Sequence, residues 1–307
     1  MGMKHNIHQT PQALAAASPH ARREHKDRLF CDLFSDKKNA LSLFNAINGT
    51  DYTDIDALEI VTLKDVIYLT MHNDLAVCFH SLLGLFEQQS TINPSMPLRG
   101  LLYFAREYEG WLAAHEKDIY SKTLIKIPTP QYYILYNGTE KAAERITYRL
   151  FDAFSVPTEG YEWTAHMLNI NPGCNPELLA QCEPLRGYVT LISLIRQEQA
   201  EGKQLTEAVR EAIDTCIRQG ILRDYLIKHE AEVTAMILTE YNEKLREKTL
   251  HEEGLEQGRE EGREEGYLQM ALNAVRHLMS GMDMSAEDAM NFLEFSEAEK
   301  EKCRKLL

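Results

Sequence analysis

The segment HNDLAVCFHSLLGLFEQQS, residues 72–90, decides the fold of this chain. It contains two runs of apolar residues that meet at His80-Ser81, a pattern that predicts a β-hairpin. Asp74 opens the first run and Glu87 lies in the second. A hairpin that turns symmetrically about His80-Ser81 places these two acids directly opposite each other on one face of a sheet.

A third polar side chain joins the two acids, because Glu87 and Gln89 share a strand face while Gln88 points to the other. Two carboxylates held close together repel each other, and a hard divalent cation with oxygen ligands relieves that repulsion. The pattern therefore predicts that Asp74 and Glu87 bind Mg²⁺, with Mn²⁺ as a substitute, and that Gln89 orients a water or a phosphate. In the alternative interpretation, Asp74 belongs to an Asn-Asp turn and Glu87 lies on a solvated strand edge.

The segments around the hairpin predict an α/β fold. Upstream, residues 22–49 place apolar residues at helical spacing, which predicts two short helices interrupted at Ser35-Asp36 and ended by Asn48-Gly49. Downstream, the prolines of residues 93–100 predict a loop. A helix over 101–118 and a strand over 131–138 are expected to follow it.

Four further runs predict additional strands. Residues 55–63 and 65–71 precede the hairpin, while 144–154 and 161–170 are expected to extend the sheet at its edge. The order of helices, strands, helix and strand is typical of a mixed sheet flanked by helices.

The second half of the chain predicts an all-helical region. Amphipathic spacing marks a helical module over 173–248, which follows an α/β core over 21–172 and a disordered tail over 1–20. Residues 249–307 combine a glycine repeat with two short terminal helices. The repeated glycines are Gly254, Gly258, Gly262 and Gly266. They lie near one helix face, which fits either a solvated spacer helix or self-association as a homodimer.

Composition and charge limit the class of protein. The 307 residues are 44% hydrophobic and 26% charged, as in ordinary globular proteins, and no apolar run is long enough to span a membrane. Six scattered cysteines and a start without a signal peptide predict reduced thiols and a cytoplasmic protein. The net charge of −14 disfavours nucleic acid, but residues 1–150 carry 16 basic against 17 acidic side chains, so the excess lies in the second half.

Several segments together resemble one family. They are the helix of residues 25–52, the strand start Asn73-Asp74-Leu75, the motif Phe86-Glu87-Gln88-Gln89-Ser90, residues 91–99, and residues 125–138. In this combination the chain resembles the recombination-promoting nuclease and transposase-like branch of the PD-(D/E)XK nuclease superfamily. The resemblance extends from about Arg22 to the glycine repeat.

The resemblance implies a restriction-endonuclease-like core and a Mg²⁺-dependent endonuclease that cuts double-stranded DNA. Asp74 and Glu87 would be the metal ligands, and Gln89 stands where the superfamily has a catalytic Lys. Asp65 is an alternative first acid, and Arg99 is expected either to contact a DNA phosphate or to brace Glu87. The competing interpretation is a nuclease fold without activity that serves as a binding or assembly module, because Gln89 lacks the charge of Lys.

Overall fold

The computed structural model describes residues 28–61, 74–156 and 160–307. Its strands are β1 (Leu58–Ile60), β2 (Leu75–Phe79), β3 (Leu82–Gln89), β4 (Thr129–Tyr136), β5 (Arg145–Arg149) and β6 (Thr164–Asn169). Its helices are α1 (Arg28–Phe34), α2 (Lys37–Asn48), α3 (Met96–Ala114), α4 (Pro176–Gln181), α5 (Glu183–Ala200), α6 (Leu205–Gln219), α7 (Arg223–Met282), α8 (Ala286–Phe292) and α9 (Glu297–Arg304). The chain is therefore an α/β protein with a helical C-terminal region, as the sequence predicts.

The strands form one mixed sheet in the order β1-β2-β3-β4-β6-β5. Strand β2 is antiparallel to both β1 and β3. Strands β3, β4 and β6 run parallel to one another, and β5 is antiparallel to β6. The carboxyl ends of these three parallel strands consequently lie side by side at the same end of the sheet.

The predicted hairpin is confirmed with its register. Leu75 pairs with Phe86 and Phe79 with Leu82, so the turn is centred on His80-Ser81. His80 adopts a left-handed backbone conformation with φ 52°, which closes this short connection. Since side chains alternate along a strand, this register fixes which residues of β3 face which side of the sheet.

Helices cover both faces of the sheet, and each face has its own hydrophobic cluster. Helices α1, α2, α5 and α6 pack on the face that carries Leu75, Val77 and Phe86. Helix α3 packs on the opposite face, against Leu85 and Tyr132. Residues of β3 with odd numbers, including position 87, therefore belong to the α3 face.

The first two helices begin and end where the sequence predicts. The Asp36 side chain accepts hydrogen bonds from the backbone N–H groups of Lys38 and Asn39, which caps α2. Gly49 ends α2 in a left-handed conformation, φ 64°, that favours glycine.

Two predicted elements differ from the structure. The loop expected over 93–100 is shorter, because α3 begins at Met96 and accommodates Pro97 in its first turn, where a missing N–H costs nothing. The strands over 144–154 and 161–170 do not both lie at the edge, since β6 is inserted between β4 and β5. β6 is largely buried, whereas β5 alternates between exposed and half-buried residues, as an edge strand does. The expected strand 65–71 and the expected tail 1–20 lie outside the described residues.

The chain divides into two compact units, Met1–Glu240 and Tyr241–Leu307, and α7 runs through the boundary. The sequence predicts divisions at 172/173 and 248/249. Within the first unit, α5 and α6 share one hydrophobic cluster with α1 and α2. None of the helices in the described part of the chain is long and apolar enough to cross a bilayer.

The second unit has a small core of its own, built by α7, α8 and α9 around Val275, Met290 and Cys303. The two predicted terminal helices are confirmed, and each begins at a serine N-cap: the Ser285 hydroxyl accepts from the Asp288 N–H, and Ser296 forms a capping box with Glu299. The four repeated glycines lie within α7, and a Cβ added at any of them would meet open space.

Candidate active site

Asp74 and Glu87 lie opposite each other in the structure. Asp74 immediately precedes β2, and continuing the Leu75–Phe86 register by one residue pairs it with Glu87. Asp74 is only 8% exposed and Glu87 only 1%. The burial of Glu87 in an interior strand contradicts the part of the alternative in which Glu87 lies on a solvated strand edge.

The Asp74 carboxylate is fixed by contacts to two elements. Its Oδ2 accepts a hydrogen bond of 2.8 Å from the backbone N–H of Gln88, and its Oδ1 lies 3.9 Å from the Cys31 thiol. This hydrogen bond links the start of β2 to Gln88, the residue that follows Glu87 in β3.

The two oxygens of the Glu87 carboxylate have different surroundings. Oε2 lies 3.2 Å from an Arg99 guanidinium nitrogen and accepts a 3.4 Å hydrogen bond from the Gln89 side chain. Oε1 is buried and has no hydrogen-bond partner. A buried carboxylate oxygen without a donor is costly, and a bound cation is one way to offset that cost.

Arg99 lies in the first turn of α3 and contacts Glu87 directly. The same guanidinium donates a 2.8 Å hydrogen bond to the Tyr103 hydroxyl, one helical turn further along. The contact with Glu87 is one of the two roles expected for Arg99, and it is present in the structure. Contact with a DNA phosphate stays a prediction.

Burial dominates the electrostatics of this cluster. It raises the pKa of Glu87 above the ordinary value, and Arg99 together with the Tyr132 and Tyr103 hydroxyls lowers that pKa only in part. Burial acts to lower the pKa of Arg99, but the charge of Glu87 and the contributions of Tyr103 and Tyr132 together outweigh it, so the net pKa is raised. Burial and the same charge raise the pKa values of both tyrosines, so their hydroxyls stay protonated.

Sequence reasoning did not find the roles of Tyr103 and Tyr132. Tyr103 follows Arg99 by four residues, a spacing that places two side chains on the same helix face and could have identified it. Tyr132 lies in β4 and is buried against α3. Its hydroxyl lies near enough to Glu87 to affect the pKa, yet it makes no hydrogen bond of ordinary geometry.

The donor set fits a magnesium ion. Mg²⁺ usually binds through one or two carboxylates and completes its shell with water and substrate phosphate oxygens. Asp74 and Glu87 are two such carboxylates. The Oε1 atom of Glu87, which has no hydrogen-bond partner, is the ligand atom that a cation would use. Among the described residues no group of three or more His, Cys, Asp or Glu side chains is arranged as a metal site. Asp65, the alternative first acid, lies outside the described residues.

Comparisons with models of known protein families, with curated proteins and with solved structures give no match for this chain. Its function therefore has to be argued from its own residues.

Proposed function

We propose that this protein is a Mg²⁺-dependent DNA endonuclease with a restriction-endonuclease-like core. The observation that carries the proposal is the buried pair Asp74 and Glu87, one of whose oxygens lacks a partner. The resemblance of the sequence to recombination-promoting nucleases supports the substrate, double-stranded DNA. A mixed sheet with one acid before β2 and the other in β3 supports the fold.

Each side chain has a separate task in the proposed hydrolysis of a phosphodiester bond. Asp74 and Glu87 would hold the cation, which when bound polarises the phosphate and favours ionisation of a water. Gln89, hydrogen-bonded to Glu87, would orient the attacking water or the scissile phosphate. Arg99 would supply a positive charge beside the acids. In the superfamily this charge comes from the catalytic Lys, whose position Gln89 occupies here.

A plasmid-nicking assay with Mg²⁺ or Mn²⁺ tests the proposal. We expect nicking by the wild type and its loss, by about a hundredfold or more, in both Asp74→Ala and Glu87→Gln, because each removes a metal ligand. Glu59→Gln is a matched control, since Glu59 is an exposed carboxylate on β1 of the same sheet. Equal cutting by the wild type and both site variants would indicate contamination and would refute the endonuclease.

A second candidate is a binding or assembly module that keeps the fold without catalysis. The specific observation in its favour is the ion pair of Arg99 with Glu87, which neutralises the acid without a metal. This candidate predicts no metal-dependent cutting and no change in the unfolding temperature when Mg²⁺ is added. The endonuclease predicts a rise in that temperature, because a cation that binds only the folded state stabilises it.

A further inference from the structure

Polar residues gather where the parallel strands β3, β4 and β6 end. The strand ends are aligned, because Gln89 pairs with Tyr136 and Tyr136 pairs with Asn169. Asn137 extends β4 by one residue, and its backbone N–H donates a 2.9 Å hydrogen bond to the Gln89 carbonyl. Ligands of α/β sheets commonly bind outside this carboxyl-end edge.

Arg196 reaches this edge from helix α5. Its guanidinium donates to the Asn137 side-chain oxygen at 2.9 Å, to the Asn137 carbonyl at 2.6 Å and to the Asn171 side-chain oxygen at 3.5 Å. All three acceptors are neutral. Within the described part of the chain, no carboxylate forms an ion pair with Arg196. Its positive charge is therefore held in place without a counter-ion.

Asn137 adds a hydrogen-bond donor that has no acceptor. The residue is 1% exposed, and its side-chain Nδ2 is buried without a hydrogen-bond partner. The orientation of the amide is determined by Arg196, because a guanidinium only donates and must face the amide oxygen. A buried donor without a partner costs folding free energy, so the site is incomplete without an acceptor.

The surrounding residues hold this arrangement rigidly. The Asn171 side-chain nitrogen donates to the Gly138 carbonyl and to the Asn169 side-chain oxygen, both at 3.0 Å. This orientation of the Asn171 amide turns its side-chain oxygen towards Arg196. Gly138 permits close packing of the chain, since a Cβ there would lie 2.2 Å from the Ser90 carbonyl oxygen. A preorganised cation next to a free donor suits a ligand that is anionic and only accepts hydrogen bonds.

We infer that Arg196 and Asn137 bind a phosphate of the DNA backbone at the carboxyl ends of the strands, apart from the phosphodiester that is cut. This inference rests on the proposed function and adds a second contact to the substrate. Asn137 is in register with the residue after Gln89, so its Cα lies about 11 Å from that of Glu87, by three residues along the strands and one strand across. The two side chains lie on opposite faces of the sheet, because Glu87 is on the α3 face while Asn137 contacts Arg196 of α5. The cluster and the acids are therefore separate contact points at the same strand ends, and a DNA duplex that crosses these ends would reach both.

Binding of a short fluorescent DNA duplex, measured by anisotropy in Ca²⁺ at several salt concentrations, tests the inference separately from cleavage. We expect Arg196→Gln to raise the dissociation constant about tenfold and to lower the slope of log K against log salt by about 0.9, the value for one phosphate contact. Arg186→Gln removes a charge from an exposed site on the same helix and serves as the matched control. It should leave the slope nearly unchanged.

Asn137→Asp provides a variant that keeps the fold. Its carboxylate still accepts from Arg196 but neutralises the cation and repels phosphate, so we expect weaker DNA binding with an unchanged or higher unfolding temperature. Unchanged binding by both Arg196→Gln and Asn137→Asp would overturn the inference, as would equal losses in Arg196→Gln and Arg186→Gln. A wild type that binds no duplex overturns it as well. A wild type that binds but does not cut refutes the endonuclease alone.

Discussion

Glu87 is stabilised in its buried position chiefly by one cation. The Arg99 side chain is 33% exposed while that of Glu87 is 1% exposed, so the pair is only partly screened by solvent. Removing one partner of a buried pair leaves the other charge uncompensated, which costs more than the pair contributes when intact.

We expect Arg99→Met to destabilise the protein by about 2 kcal/mol, less than for a fully buried pair because Arg99 is partly exposed. Chemical denaturation measures this change. Arg106→Met is the matched control on the same helix: it breaks an exposed ion pair with Glu109 and should cost less than about 0.5 kcal/mol. Equal losses in the two variants would show that Glu87 does not depend on Arg99.

The loss in Arg99→Met should grow with pH. The folded-state pKa of Glu87 is raised above the ordinary 4.5, so the stability linked to its protonation is complete below that value and is lost as pH rises through the folded-state pKa. Without Arg99 that pKa rises further, and the ionised acid destabilises the fold more. We therefore expect a larger difference from the wild type at about pH 8 than at about pH 5. The opposite trend would contradict the raised pKa.

At the scale of elements, the connection after β4 depends on a glycine. A Cβ on Gly138 would lie 2.2 Å from the Ser90 carbonyl oxygen, a backbone atom that cannot move aside easily. We expect Gly138→Ala to lower the free energy of unfolding by about 2 kcal/mol. Gly110→Ala in α3, where a Cβ meets nothing within 4 Å, should instead raise it by about 0.5–1 kcal/mol. Urea denaturation of both variants measures the contrast, and a loss in neither would refute the close approach.

The elements predicted well from the sequence are those fixed by local spacing. The hairpin register follows from the two apolar runs that meet at His80-Ser81, and the ends of α2 follow from Asp36 and Gly49. The position of β6 could not be predicted, because strand order depends on pairing between distant segments. The sequence also could not predict which of its two expected roles Arg99 has, or that Tyr132 lies near Glu87. Both depend on side chains that only the packing of the folded chain brings together.

At the scale of the whole molecule, two units with separate cores share the helix α7. Separate cores can unfold in separate steps, so a single unfolding transition is not required. The glycine repeat lies in the second unit, on a segment of α7 where the added Cβ atoms would meet open space. Open space at these positions is compatible with both interpretations of the repeat, the solvated spacer and the homodimer.

Replacing all four repeat glycines with Ala should raise the unfolding temperature of the second unit, because Ala in a helix is about 1 kcal/mol more favourable per residue than Gly. The transition of the first unit should not change. Calorimetry measures both transitions, and light scattering measures the molar mass. A wild-type dimer that dissociates when the glycines are replaced would instead establish that the repeat is an interface.

The connection at His80-Ser81 also limits how the gene can vary. An in-frame insertion of one codon between Phe79 and Leu82 would turn every later side chain of β3 to the opposite face. Glu87 would then project among the helices on the far side, and Phe86 would take its place opposite Asp74. Related genes should therefore tolerate amino-acid exchanges in this turn but keep its length, while length changes collect in the exposed loop of residues 115–128.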